Sequence, residues 1–90
     1  MDKLERRAMH EKIYNILSQF TEDETKHPWN GDNRHYYLCS SSGSVAIYDE
    51  TMVRVGGVIY FASYSDAQRA VEAVGDQDIL DYYIFYNPNK

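Results

Sequence analysis

The sequence is poor in the residues that stabilise extracellular domains and in the long apolar runs that cross membranes. Its 90 residues include one cysteine, Cys39, together with two prolines and five glycines. One thiol cannot close an internal disulfide or complete a zinc knuckle, so we expect Cys39 to be a small buried hydrophobic residue. No stretch approaches the roughly 20 apolar residues of a membrane-spanning helix. The charged start, MDKLERRAMHEK, lacks the apolar core of a secretory signal, so we expect a soluble cytoplasmic protein.

Motifs that carry catalytic chemistry are missing as well. The sequence has no glycine-rich phosphate loop followed by lysine, no HExxH or CxxC, and no supported Ser-His-Asp or Cys-His arrangement. Its aspartates at 76, 78 and 81 lack the glycine and the terminal glutamate of a calcium loop. The three histidines have no cysteine or paired carboxylate at a fixed offset, which argues against a metal site. The sequence therefore predicts a protein that is not an enzyme and binds no metal or cofactor.

Positive charge is also scarce. The net charge is −5, from 14 acidic and 9 basic residues. Because phosphate contacts need clustered Lys and Arg, we do not expect direct nucleic-acid binding. The imbalance is greatest over residues 65–81, where five acidic residues stand against Arg69 alone. One end of the molecule should therefore be distinctly acidic.

The most regular pattern in the sequence runs from Val58 to Gly75 and predicts a strand followed by a helix. VIYFA is apolar, β-branched and aromatic, as in a partly buried strand. Ser63 with Asp66, or Ser65 with Gln68, has the spacing of a helix-capping box. Small apolar residues then recur at helical spacing up to Gly75, which can end the helix in a left-handed conformation.

The flanking segments complete an α+β fold. Apolar residues at helical spacing predict a first helix over 3–20, and Thr21–Arg34 has the composition of a loop. Tyr36–Cys39 and Val45–Tyr48 read as a hairpin, with Thr51–Val55 as a possible extension. We predict one domain over residues 1–90, made of an N-terminal helix within 1–20, an antiparallel sheet of three to four strands within 35–62, one amphipathic helix packed on it over 64–75, and a C-terminal segment 76–86 with a short helical turn and an extended end.

Aromatic residues are the remaining feature. Eight of the nine tyrosines lie on or next to the predicted sheet and the C-terminal segment, and the one tryptophan lies in the loop before the sheet. Trp29 either folds back to close the core or is an exposed binding anchor. Because neighbouring strand residues face opposite sides, one of Tyr36 and Tyr37 points away from the helix-covered face. Such a ring either contacts a partner or is covered by the first helix.

These segments together resemble a known group of proteins. Trp29-Asn30, Tyr36-Tyr37-Leu38, Gly57–Phe61, Asp66–Val71 and Tyr82-Tyr83 match a WN, YYI, G-x-(I/V)-Y-F and D-A-x-x-A-(I/V) pattern. The pattern is similar to that of small, mostly uncharacterised accessory proteins in phages and prophages of Gram-positive bacteria. The similarity covers about residues 3–84 and departs from the group in the serine-rich turn.

The resemblance implies a phage protein that acts in the cytoplasm of a bacterial host. The leading hypothesis is a non-enzymatic, anti-CRISPR-like inhibitor that occupies the nucleic-acid-binding or effector surface of a host defence protein. The partner would be a CRISPR effector or another nucleic-acid-binding defence protein, and the inhibitor would be a monomer or homodimer that does not bind membranes. The alternative is a virion or head–tail assembly component. The residues expected to contact a partner are Asp76, Asp78, Asp81, Tyr82, Tyr83, Tyr36, Tyr37 and Trp29.

Overall fold

The computed structural model describes residues 1–89 and shows a hairpin surrounded by helices. The elements in chain order are α1 (Lys3–Ser18), β1 (His35–Ser41), β2 (Ser44–Glu50), α2 (Tyr64–Val74), α3 (Asp76–Ile79) and a π-helical turn (Leu80–Ile84). The predicted α+β class is therefore confirmed. No helix within residues 1–89 combines the length and the apolar character needed to cross a membrane.

The first helix is shorter at its C-terminus than the predicted 3–20. Asp2 caps its start by accepting a hydrogen bond from the Glu5 backbone N at 2.8 Å. Its last turn tightens, because the backbone N of Phe20 bonds to the carbonyl of Leu17 at 3.1 Å. Phe20 thereby leaves the helix while its ring still packs against the core.

The predicted hairpin is present, and its strands pair antiparallel with Tyr37 opposite Tyr48. A two-residue turn joins the strands, and both of its residues have positive φ, 51° at Ser42 and 80° at Gly43. This geometry matches the right-handed twist of the strands. Cys39 is half-buried rather than buried as expected.

The prediction of three to four strands is wrong, because the described sheet has two. Val58–Ala62 meets β1 only through Phe61, which exchanges backbone hydrogen bonds of 2.8 and 2.9 Å with Tyr36. The neighbouring backbone groups are bonded elsewhere. The Ile59 N donates to the Tyr83 hydroxyl at 3.0 Å, and the Tyr60 carbonyl accepts from the Glu22 N at 2.8 Å. The segment therefore has few backbone groups left for a strand ladder.

The two other extended segments predicted from the sequence are also not strands. After β2 the Glu50 carboxylate accepts the backbone N–H groups of residues 51–53, which bends the chain into a turn. The Val55 N then donates to the Tyr60 hydroxyl at 3.0 Å. At the C-terminal end the π-helical turn includes Ile84, and the Phe85 N reaches back to the Leu80 carbonyl at 2.9 Å.

The structure shows which of the two candidate serines, Ser63 or Ser65, caps α2. The Ser63 hydroxyl accepts from the Asp66 N at 3.0 Å, so Ser63 is the N-cap of α2. Gly75 ends the helix with φ of 101°, a conformation that strains any residue with a Cβ atom. It also begins α3, and so it turns the chain directly into the acidic C-terminal segment.

One hydrophobic core joins these elements. It lies between α1, α2, the inner face of the hairpin and the C-terminal segment. The small residues Ala67 and Ala70 are fully buried, which lets α2 approach its neighbours closely. The buried core residues are Ile13, Leu17, Leu38, Ile59, Phe61, Ala67, Ala70 and Ile79.

Candidate functional site

The segment that begins in the last turn of α2 is rich in acidic side chains, which we call together the acidic surface. We use this name for Glu72, Asp76, Asp78 and Asp81; residues 70–89 contain no other acidic residue and no basic one. Glu72, Asp76 and Asp81 are exposed, and Asp78 is half-buried. The ion pairs Arg7–Glu11, Arg34–Asp49, Arg54–Glu24 and Arg69–Asp66 involve other side chains. Arg6 lines a depression with Asp81, so one basic side chain lies beside this end of the acidic surface.

Hydrogen bonds hold two of these carboxylates in place. The Asp76 carboxylate accepts from the Val45 N at 3.4 Å, which links α3 to β2. The Asp81 carboxylate accepts from the Gln77 side-chain amide at 3.0 Å across one helical turn. Part of the surface is thus fixed relative to the hairpin before any partner binds.

The predicted site tyrosines next to this surface have different environments. Tyr83 packs against the core, its hydroxyl accepts from the Ile59 N, and burial raises the pKa of Tyr83 above its usual value of 10.0. Tyr82 is half-buried, and its carbonyl accepts from Nδ1 of His10 at 2.6 Å. Phe85 is 63% exposed and lines a depression with Met1, Arg6, Asp81 and Tyr82. Phe85 was not among the predicted site residues, because the sequence pattern placed it in an extended segment.

The tyrosines of β1 lie on opposite faces of the hairpin, as the alternation predicts. Tyr36 packs against the core. Tyr37 is on the outer face, where its ring contacts those of Tyr48 and Tyr60 edge-on with centroids 6.2 and 5.9 Å away. Burial is the main cause that raises the pKa of Tyr37. The structure thus separates Tyr37 from the core-facing tyrosines.

The outer face of the hairpin carries exposed apolar side chains. Val53, Val55 and Val58 line a depression with Tyr37 and with the buried Tyr60. Val53 and Val55 are 61% and 52% exposed. We call this surface, together with the half-exposed Tyr48, the outer hairpin face.

Trp29 belongs to a buried polar cluster at the start of β1. Its ring stacks on His35 with centroids 3.6 Å apart and an interplanar angle of 5°. His35 is fully buried, and Nδ1 lies 2.6 and 2.9 Å from the two carboxylate oxygens of Glu22. The Glu22 side chain is itself only 4% exposed. Of the two alternatives for Trp29, the structure shows a ring that folds back onto the protein.

His27 completes this cluster. Its ring meets the His35 ring edge-on with centroids 4.7 Å apart, and its Nε2 donates to the Arg34 carbonyl at 2.7 Å. One donor atom each from Glu22, His27 and His35 lies within 4.8 Å of the others. Sequence reasoning missed this grouping, because Glu22 is thirteen residues from His35 and no fixed spacing connects them.

Comparisons with protein-family models, with curated proteins and with solved structures found no match for this chain. The resemblance to phage accessory proteins therefore stays a prediction.

Proposed function

We propose that this protein is a non-enzymatic, phage-encoded inhibitor that binds a host defence protein, in the manner of an anti-CRISPR protein. The observation that carries the proposal is the acidic surface. Its four carboxylates lie within ten residues of sequence, and no basic residue interrupts them there. Such a surface is complementary to one that binds nucleic acid through Lys and Arg.

The acidic surface would act by competing with phosphate groups. Carboxylates concentrated in one segment of a protein attract a basic surface over several ångströms, which raises the rate of association and orients the encounter. Charge pairs at the rim of an interface add little affinity by themselves. Apolar anchors are therefore needed, and the exposed Phe85 beside Asp81 and the half-buried Tyr82 are in position to supply them.

The hydrogen bonds within the surface support the same role. Because Asp76 is tied to β2 and Asp81 to Gln77, fewer side-chain conformations are lost when a partner binds. A larger loss of side-chain conformational entropy on binding would reduce the affinity of the complex.

A triple variant tests the proposal. Asp76→Asn, Asp78→Asn and Asp81→Asn remove three charges and keep the size of each side chain. The wild-type protein should capture a host nucleic-acid-binding protein from nuclease-treated lysate. With that partner purified, we expect the triple variant to associate about tenfold more slowly at low salt and to lose most of the salt dependence of the rate.

A matched control separates the surface from net charge. Glu5→Gln, Glu11→Gln and Asp32→Asn also remove three negative charges, all of them at exposed positions elsewhere. This control should associate at nearly the wild-type rate. Equal slowing by both triple variants, or wild-type kinetics in the first, would contradict the role of the acidic surface, and so would a lysate that yields no such partner.

A second candidate function is a virion or head–tail assembly component. The exposed valines and Tyr48 of the outer hairpin face favour it, because assembly interfaces need apolar area to bury. This role predicts a defined oligomer in solution and the presence of the protein in purified phage particles. The Val53→Asp variant should then dissociate the oligomer, whereas an inhibitor would be absent from particles.

A further inference from the structure

The Glu22–His27–His35 cluster is separate from the acidic surface and from the outer hairpin face. Two imidazoles and a carboxylate are donors typical of zinc and related ions, and here their nearest donor atoms lie within 4.8 Å of one another. The acid and one histidine are almost fully buried, whereas His27 is half-buried. The cluster therefore has the donor chemistry and the proximity of a metal site.

One ring nitrogen of His27 is already engaged in a hydrogen bond. Nε2 of His27 donates to the Arg34 carbonyl, which leaves Nδ1 with the lone pair that a metal needs. Metal-binding histidines commonly make such a hydrogen bond with their other nitrogen, because it fixes the ring and its tautomer. His27 thus shares with such ligands a ring that is held by a hydrogen bond from its other nitrogen.

Two unpartnered polar atoms lie next to the cluster. Within residues 1–89, Nε2 of His35 and Nε1 of Trp29 are buried without a hydrogen-bond partner. Buried polar groups are rarely left in this state, and a water molecule beside the two rings would give these atoms a partner. Both atoms belong to rings stacked directly on one another at this site.

We propose that Glu22, His27 and His35 bind one divalent transition-metal ion of the zinc class. The ion replaces the proton between His35 Nδ1 and Glu22. The distance between His35 Nδ1 and the Glu22 carboxylate oxygen then increases from 2.6 Å to about 3.3 Å, which is the distance between two ligand atoms around tetrahedral zinc. Water fills the coordination positions that the protein leaves open. Because the ligands come from the start and middle of the 21–34 loop and from the first residue of β1, the ion fastens this loop to the hairpin.

The experiment uses untagged protein with the Cys39→Ser substitution, so that neither a histidine tag nor the thiol contributes ligands. Co2+ is titrated first, because its visible absorption reports the coordination geometry, and Zn2+ is then added to displace it. The tryptophan is the only one in the chain and stacks on His35, so its fluorescence reports binding at this site. We expect saturation at one equivalent, four-coordinate cobalt absorption, and quenching of Trp29 emission by Co2+.

Two variants locate the site. His27→Ala removes a half-buried ligand outside the hydrophobic core, and it should weaken binding by at least about tenfold while the far-UV circular dichroism stays unchanged. His10→Ala is the matched control, because His10 stacks on Tyr86 and lies outside the cluster. It should bind Co2+ as the parent does. Absence of saturable binding, or equal affinity in His27→Ala and the parent, would overturn the proposal.

Discussion

Removing the Glu22 carboxylate should destabilise the fold far more than removing a neighbouring acid. Glu22→Ala deletes the partner of a fully buried histidine, with which it makes contacts of 2.6 and 2.9 Å. The backbone N of Glu22, which donates to the Tyr60 carbonyl, is unaffected by the substitution. The change therefore isolates the side-chain interaction.

The magnitude follows from burial. Removing one partner of a buried hydrogen bond costs about 1–3 kcal/mol, and more when a charged group is involved, because the other group stays buried without its partner. The carboxylate here is 4% exposed and His35 is inaccessible, so solvent cannot replace the lost contact. We expect a loss of about 3 kcal/mol in the free energy of unfolding, out of the roughly 5–15 kcal/mol typical of a small domain. That loss should lower the melting temperature by more than about 10 °C.

Glu24→Ala is the matched control. Glu24 also forms an ion pair, with Arg54 at 2.6 Å, but its side chain is 51% exposed. Exposed pairs contribute about 0–1 kcal/mol, so this variant should unfold near the wild-type urea concentration. Urea unfolding is followed by Trp29 fluorescence and by circular dichroism, with EDTA present so that no bound metal contributes. A loss below about 1 kcal/mol in Glu22→Ala, or equal losses in both variants, would refute the reasoning.

Two further predictions concern the side-chain hydroxyl groups of Tyr83 and Ser63, each of which accepts a backbone hydrogen bond. Tyr83→Phe leaves the buried Ile59 N without its acceptor and should cost about 1–2 kcal/mol in urea unfolding. Because burial raises the pKa of Tyr83 above 10.0, the stability that its neutral form contributes is present below pH 10 and is lost as the pH rises through the folded-state pKa. Alkaline destabilisation should therefore be smaller in the variant, and equal pH slopes would contradict this cause. Only Ser63 caps α2, so Ser63→Ala should lower the free energy of unfolding by about 1 kcal/mol and Ser65→Ala should leave it nearly unchanged. Similar melting temperatures for the two variants would contradict this assignment.

The sequence was sufficient for elements whose causes are local. The hairpin is encoded by β-prone residues on either side of a glycine-containing turn, and the start of α2 by a serine three residues before Asp66. The stop at Gly75 likewise depends on one backbone conformation. Each of these features involves residues near one another in the chain, so a pattern can predict it.

The third strand was mispredicted because the groups that bond to its backbone lie far away in the sequence. The Ile59 N bonds to a hydroxyl at position 83, and the Tyr60 carbonyl to a backbone group at position 22. No local pattern in the VIYFA segment reveals these partners. The stack of Trp29 on His35 and the approach of Glu22 have the same origin, since only the folded loop brings them together.

Competition between this protein and nucleic acid for a captured, purified partner tests the central proposal most directly. The partner's affinity for nucleic acid is measured with no addition, with the wild-type protein, and with the Asp76, Asp78 and Asp81 to Asn triple variant. We expect the wild-type protein to displace the nucleic acid and the triple variant to displace it far less. A partner that binds the wild-type protein and nucleic acid at the same time would contradict the proposal.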